Sequence, residues 1–113
     1  MIIGKRFKFE AAHHLPEYEG KCASVHGHTY VLEVEVWGQV LSNGMVMDLT
    51  TLTKCINEVI NLYDHKDLNE MFDNPTVEIM VRRIKDIIET QLPPEVKIES
   101  IKLQEGEGGW ARV

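Results

Sequence analysis

The sequence predicts an α+β protein in which an antiparallel four-stranded sheet carries two helices on one face. Two N-terminal segments alternate apolar and polar side chains, which is typical of half-buried strands. Two central segments repeat apolar residues every three or four positions, as amphipathic helices do. Two further strand-like segments close the chain, so the predicted order is strand, strand, helix, helix, strand, strand.

The first two predicted strands cover residues 2–13 and 28–40. One face of the first carries Phe7, Phe9, Ala11 and His13. The corresponding face of the second carries Tyr30, Leu32, Val34 and Val36. The loop between them is long for a hairpin, and loops of that length are commonly functional. A turn at residues 42–44 is expected to return a short stretch, residues 45–47, whose two methionines are assigned to the core.

Asp48 is a candidate N-cap for the first helix, which is expected to end near residues 64–65. Its apolar stripe consists of Leu49, Leu52, Ile56, Val59, Ile60 and Tyr63. After a loop at residues 66–73, Asn74-Pro75-Thr76 starts the second helix, with Thr76 or Asn74 as its cap and Glu78 in its first turn. Its stripe consists of Val77, Val81, Ile84, Ile88 and Leu92. The closing strands are predicted at residues 96–105 and 110–113.

Length and charge restrict the function. We expect one domain, residues 1–113, that is too short to enclose a whole substrate, so an active site shared between subunits is predicted. Twelve basic and eighteen acidic residues give a net charge of -6 without a basic block, which excludes nucleic acid as an expected partner. The sequence has no stretch of about 18 apolar residues, so we expect a cytoplasmic protein that does not enter membranes. The open sheet edges favour oligomerisation.

Three histidines lie around the loop between the first two strands. His26 and His28 are two residues apart in an extended segment, so their imidazoles point to the same face. His13 ends the apolar face of the first strand and is expected to project toward the same point. Three neutral imidazoles suit tetrahedral zinc with one open position. His14 turns to the other face and is the alternative ligand only if the strand register shifts.

Cys22 lies in the same loop, between His13 and His26. A cation beside a thiol favours the thiolate, which is a useful base at neutral pH. Cys22 is therefore a candidate catalytic thiol, and its alternative role is a fourth ligand in a closed structural site. Cys55 falls within the first helix, where core packing is the ordinary role of a cysteine.

Several short motifs occur in a characteristic order. They are Phe9-Glu10-Ala11-Ala12-His13, Lys21-Cys22, His26-Gly27-His28, Gly44-Met45-Val46-Met47-Asp48, Asp64-His65, Leu68-Asn69, Asn74-Pro75-Thr76 with Glu78, and Glu105. Together they resemble the 6-pyruvoyltetrahydropterin synthase family of the tunnelling fold, nearly from end to end. The three residues between Cys22 and His26 resemble its 6-carboxytetrahydropterin synthase branch, which belongs to the queuosine pathway.

The resemblance implies a zinc-dependent lyase that converts 7,8-dihydroneopterin triphosphate to 6-carboxy-5,6,7,8-tetrahydropterin, acetaldehyde and triphosphate. It implies the three histidines as ligands, Cys22 as the proton-transferring thiol, Asp64 and His65 as its relay partners, and Glu105 as the pterin-binding residue. It also implies a homohexamer of two stacked trimers, with active sites at subunit interfaces.

The residues themselves leave alternatives for these roles. Asp64 is the acidic partner of His65 in this interpretation, but neighbours in sequence rarely bond each other directly, so another acidic residue is the alternative partner. His65 could instead only complement the dipole of the first helix. A carboxylate such as Glu105 accepts both N–H donors at one edge of a 2-aminopyrimidinone ring, and Glu107 is its alternative. Lys5, Lys21, Lys66 and Arg112 are available to the triphosphate, and none is singled out.

Two other functions stay open at this point. 6-Pyruvoyltetrahydropterin synthase uses the same substrate, eliminates triphosphate and retains the three-carbon side chain. A non-catalytic, zinc-stabilised oligomer that binds a pterin or purine is the alternative of another class. The mass of the product and the metal content of a Cys22→Ala variant distinguish these functions.

Overall fold

The computed structural model describes residues 1–113 and contains a five-stranded sheet with two helices on one face. In chain order the elements are β1 (Ile2–His13), β2 (His26–Trp37), α1 (Leu49–Tyr63), β3 (Lys66–Asp67), α2 (Val77–Glu89), β4 (Lys97–Glu105) and β5 (Gly109–Arg112). Across the sheet the order is β3-β1-β2-β4-β5. The predicted α+β class, with two helices on one face of the sheet, is confirmed. No helix has the length and apolarity needed to span a bilayer.

The prediction of four antiparallel strands was wrong in one respect, because a fifth strand makes the sheet mixed. β3 pairs in parallel with β1, with Lys66 opposite Ala11 and Asp67 opposite Ala12. A two-residue strand has no periodic pattern, so the sequence placed these residues in a loop. A 3₁₀ turn at Leu68–Glu70 follows, and Leu68 anchors it in the core.

β2 begins and ends earlier than predicted. It starts at His26, which pairs with His13, and ends at Trp37, which pairs with Ile2. Beyond it, the Met1 amino group donates to the Gly38 carbonyl and the Gly38 N–H donates to the Met1 carbonyl. A Cβ at Gly38 would lie 2.8 Å from the Val46 side chain. The chain therefore leaves the sheet where only a glycine fits.

Residues 45–47 do not form a strand. The Met45 N–H donates to the Asn43 side chain, and the Met45 carbonyl accepts from the Leu41 N–H, which closes a tight turn around Gly44. Gly44 has a φ of 84°, a conformation that favours glycine. Met47 is buried as expected, but Met45 is exposed because it lies at this turn.

Both helices begin at side chains that the sequence identified as candidate caps. Asp48 accepts a hydrogen bond from the Thr50 N–H at 2.7 Å and caps α1. Thr76 accepts one from the Ile79 N–H at 3.3 Å and caps α2. The helices bury Leu52, Cys55, Ile56, Val59, Ile60, Tyr63, Met80, Val81, Ile84 and Ile88, whereas Leu49 is exposed.

The core is one cluster of 22 buried residues between the helices and one face of the sheet. The strands contribute Phe9, Ala11, Tyr30, Leu32, Val34, Val36, Ile101 and Leu103. His13 continues this face at the end of β1 and is the only buried residue that is polar. The apolar face of the sheet therefore leads directly into the candidate site.

Candidate metal centre and adjoining cleft

The register of β1 and β2 brings three histidines to one end of the sheet. His13 pairs with His26, and His28 pairs with Ala11 one step further along the same face. Because alanine is small, it leaves room for the His28 ring beside His13. The ring centroids are 4.6 Å apart for His13 and His26, 5.0 Å for His13 and His28, and 4.8 Å for His26 and His28.

Each histidine offers one ring nitrogen to a common point, and these three atoms lie within 4.8 Å of one another. That the three side chains share one face of the sheet is what the period of two predicts. The cluster of His13, His26 and His28 could hold a metal ion.

The hydrogen bonds around the rings show that this donor set fits a cation. The Nδ1 atom of His13 lies 2.9 Å from the Pro75 carbonyl, and that of His26 lies 2.7 Å from the Ser24 carbonyl. Since a carbonyl only accepts, both neutral rings carry their proton on Nδ1. Their Nε2 lone pairs therefore face each other at 3.1 Å. The Nε2 atom of His28 is also buried and has no hydrogen-bond partner. A metal ion at this point would satisfy all three atoms.

Electrostatics favour the neutral, ligand-competent form of His28. Burial lowers the pKa of His28 below its usual value of 6.5. The negative charge of Glu105 opposes this effect, and the neighbouring His13 and His26 add to it. His28 is therefore unprotonated at neutral pH, as a metal ligand must be.

Glu105 ends β4 beside the three histidines. It pairs with Tyr30 across the sheet, and its carboxylate oxygens lie 3.4 Å from His28 Nε2 and 3.9 Å from His13 Nε2. Burial, followed by the negative charge of Glu105, raises the pKa of the Tyr30 hydroxyl, which consequently stays protonated. The alternative residue, Glu107, lies exposed in the turn between β4 and β5. Of the two glutamates, only Glu105 is within contact distance of the histidines.

Asp64 and His65 bond each other directly, so the alternative of a different acidic partner is not what the structure shows. The His65 Nδ1 atom lies 2.9 Å from an Asp64 carboxylate oxygen. His65 has a φ of 57°, and this left-handed turn directly after α1 lets adjacent side chains meet. A hydrogen bond from the Glu10 N–H, followed by the one from His65, holds the pKa of Asp64 below its usual range.

An open cleft of about 520 Å³ lies between His65 and the segment of β2 that carries His28. His28 and His65 both line it, and the charged residues in its wall are Glu10, Lys66 and Asp67. Glu10 accepts hydrogen bonds from the Thr29 hydroxyl on both carboxylate oxygens, at 2.9 and 2.8 Å. A small molecule in this cleft would lie against His65, whose ring bonds Asp64, and against the strand segment that carries His28.

Cys22 lies in a 3₁₀ turn, Lys21–Ala23, within the loop between β1 and β2. It is half-buried and carries a free thiol. The cluster of possible metal ligands does not include its sulfur. The structure therefore places Cys22 in the connecting loop but does not bring its thiol together with the three histidines.

Two residues that contact the site were not predicted to do so. The Pro75 carbonyl accepts from His13, and the Asn69 side chain bonds the backbone of His14. Both residues belong to motifs noted in the sequence, Leu68-Asn69 and Asn74-Pro75-Thr76. The motifs marked them as unusual, but their contacts join residues more than 50 positions apart, which no local pattern indicates.

A histidine triad at the end of a sheet backed by two helices defines an α+β protein with a candidate metal-binding site built on strands. A family model described as 6-pyruvoyl tetrahydropterin synthase matches residues 2–113. The chain belongs to this family, and the resemblance inferred from the motifs is confirmed.

Individual relatives support the assignment over most of the chain. A putative 6-carboxy-5,6,7,8-tetrahydropterin synthase of Archaeoglobus fulgidus is 40% identical over 114 residues, covering 100% of this chain and 95% of the relative. A dihydroneopterin monophosphate aldolase of Pyrococcus furiosus is 40% identical over 101 residues, covering 89% and 86%. The 6-pyruvoyl tetrahydropterin synthase of Caenorhabditis elegans has a similar structure, with a TM-score of 0.90, 26% identity, and coverage of 100% and 94%.

Proposed function

We propose that the chain is a zinc-dependent lyase of the 6-carboxytetrahydropterin synthase type that acts on 7,8-dihydroneopterin triphosphate. The observation that carries this proposal is the convergence of three histidine nitrogens beside a cleft that His65 also lines. The Archaeoglobus fulgidus relative, 40% identical over the whole chain, supports this branch of the family. On this proposal the product is 6-carboxytetrahydropterin, a precursor in queuosine biosynthesis.

His13, His26 and His28 would hold the zinc ion. Imidazole nitrogens are a usual ligand type for zinc, and the unpartnered Nε2 atoms supply them. When bound, zinc supplies a Lewis acid that stabilises negative charge on substrate oxygens, an effect worth several kcal/mol. The main-chain carbonyls of Pro75 and Ser24 fix the tautomers of His13 and His26 so that the correct nitrogens face the ion.

Proton transfer would be carried by Cys22 and by the pair of Asp64 and His65. Asp64 accepts the Nδ1 proton of His65, which leaves the Nε2 atom of that imidazole free to take a proton from the substrate or return one. The imidazole is 78% exposed, so it can reach a molecule in the cleft. Cys22 would act as the second proton-transferring group.

Glu105 would bind the pterin ring. A carboxylate at the end of a strand can accept both N–H donors on one edge of a 2-aminopyrimidinone. The Glu105 carboxylate lies 3.4 Å from His28 Nε2. A pterin ring bound to Glu105 would therefore place the side chain of the substrate beside the candidate metal ligands.

The assembly we propose is a homohexamer of two stacked trimers, with active sites at the subunit interfaces. β3 and β5 are the two edges of the sheet, and β5 exposes Trp110. Covering such edges is a general reason for oligomerisation. The cleft beside His28 is also open, which suits a site completed by a neighbouring subunit.

The test is to incubate zinc-loaded protein with 7,8-dihydroneopterin triphosphate and to identify the products by mass spectrometry. We expect 6-carboxytetrahydropterin and acetaldehyde. A product that retains the three-carbon side chain would assign the chain to the 6-pyruvoyl type instead. Zinc and pterin binding without turnover would assign it to a non-catalytic binding protein.

A second candidate is an aldolase that cleaves dihydroneopterin monophosphate. The Pyrococcus furiosus relative with that name is 40% identical over 89% of this chain. The charges of the cleft also favour a substrate with fewer phosphates, since Lys66 is the only lysine or arginine in its lining, which also contains Glu10 and Asp67. The kcat/KM for dihydroneopterin monophosphate divided by that for the triphosphate decides between the aldolase and the synthase. A ratio above one would favour the aldolase.

A further inference from the structure

Asn69 uses its whole side-chain amide to hold the backbone next to a candidate metal ligand. Its Oδ1 atom accepts from the His14 N–H at 2.8 Å, and its Nδ2 atom donates to the His14 carbonyl at 2.9 Å. The His14 N–H belongs to the peptide that joins His13 to His14. The Asn69 side chain thus binds both the N–H and the carbonyl of His14, as the backbone of a neighbouring strand would.

On the edge of β1 that pairs with β3, the Asn69 contact continues the hydrogen bonding beyond Ala12, the last residue that β3 reaches. On the edge of β1 that faces away from β2, β3 pairs only with Ala11 and Ala12. Asn69 follows β3 in the 3₁₀ turn, where its N–H donates to the Asp67 carboxylate and the buried Leu68 fixes the turn to the core. The backbone is therefore held on both sides of His13.

The His13 ring has its own fixed partner in the same part of the molecule. Its Nδ1 atom donates to the Pro75 carbonyl at 2.9 Å, and the ring is 1% exposed. A ligand ring hydrogen-bonded in this way keeps its orientation only if its backbone also stays in place. A shift of the His13 backbone would break this bond or turn Nε2 away from His26 and His28.

We propose that Asn69 is a positioning residue for the metal ligand His13. The proposal rests on the metal site of the proposed function but not on the reaction. Asn69 does not touch the common point of the three histidines. It acts by fixing the peptide between His13 and His14, so that His13 Nε2 meets the other two ring nitrogens without reorganisation when metal binds.

Zinc affinity of folded protein tests this directly. We expect Asn69→Ala to bind zinc about 10 to 100 times more weakly than the wild type, measured by competition with a chelator of known affinity. Asn69→Asp keeps the acceptor for the His14 N–H but puts a second acceptor oxygen in place of the donor to the His14 carbonyl, so weaker zinc binding is expected here too. It also serves as the test variant if Asn69→Ala does not fold. Asn61→Ala, on the exposed face of α1, is the matched control and should retain wild-type affinity.

Binding of cobalt(II) gives a second measurement that does not depend on turnover, because its visible absorption reports the ligand geometry. We expect weaker tetrahedral bands in the Asn69 variants than in the wild type and in Asn61→Ala. Equal zinc affinity and equal cobalt spectra in folded Asn69 variants and wild type would overturn the proposal, even if the variants melt at lower temperature. If the zinc affinities of the wild type and the Asn69 variants differ as expected but the wild type does not convert the pterin, only the proposed reaction is refuted. The positioning role of Asn69 then still holds.

Discussion

The two ends of β2 show how one sheet face serves two purposes. At one end Val34 lies opposite Ile101, and both side chains are fully buried against the helices. At the other end the same face carries His26 and His28, whose Nε2 atoms lack suitable partners within the chain. The first end gains stability from apolar burial. The second end buries imidazole nitrogens that have no hydrogen-bond donor. This lowers the stability of the fold unless a ligand binds to them.

The difference indicates that the histidine end is built for binding rather than for folding. If it were structural, its polar atoms would bond to each other, as the side-chain amide of Asn69 and the backbone of His14 do. Main-chain carbonyls instead hold the Nδ1 atoms of His13 and His26 and direct their lone pairs to a shared point. Changes at the two ends should therefore affect different properties.

The largest effect is expected for Cys22→Ala, in the loop that leads into the histidine end of β2. Loss of a proton-transferring group should lower kcat by about 10² to 10⁴-fold. Zinc content should not change, because the sulfur is outside the cluster of possible ligands. Steady-state kinetics together with metal analysis check this, with Cys55→Ala as the control that retains activity. Loss of zinc from Cys22→Ala would show instead that Cys22 is a ligand.

The next effect is expected at the apolar end. Ile101→Ala removes buried methyl and methylene groups and leaves a cavity, so the free energy of unfolding should fall by about 2 to 5 kcal/mol. Urea denaturation of the metal-free protein measures this change. The zinc affinity of the folded variant should match that of the wild type. A parallel fall in affinity would mean that the two ends are not independent.

The smallest effect is a pH dependence of the metal-free protein. Folding lowers the pKa of His28, so the unfolded state binds a proton at His28 more readily than the folded state. The free energy of unfolding should therefore fall as the pH decreases through 6.5, and this contribution should level off below the lowered pKa. Denaturation between pH 8 and about 5 measures it. His28→Gln should show a shallower dependence, and an identical slope would contradict the assignment.

Alternating patterns predicted the sheet face, the two helices and the convergence of the three histidines, because each depends on local periodicity. The faces of β1 and β2 followed as well, because the alternation places Phe9 and Tyr30 in the core together with His13. The family resemblance was also available, because the motifs keep their order along the chain.

The features that the sequence did not predict depend on single residues or on distant contacts. β3 has only two residues and no period. The bond between Asp64 and His65 depends on one left-handed residue, which no pattern marks because it is not a glycine. The contact between His13 and Pro75 joins residues 62 positions apart. Such contacts are decided by how the elements pack.

The metal content of the purified protein tests the central claim, that His13, His26 and His28 form a metal site. After extensive dialysis, elemental analysis should find about one zinc ion per chain in the wild type, as expected for a single site with three histidine ligands. His28→Ala should lose this zinc, whereas His14→Ala, which changes an adjacent histidine outside the cluster, should retain it. A wild type without bound metal that also fails to take up added zinc, or a His28→Ala variant with full zinc content, would contradict the account.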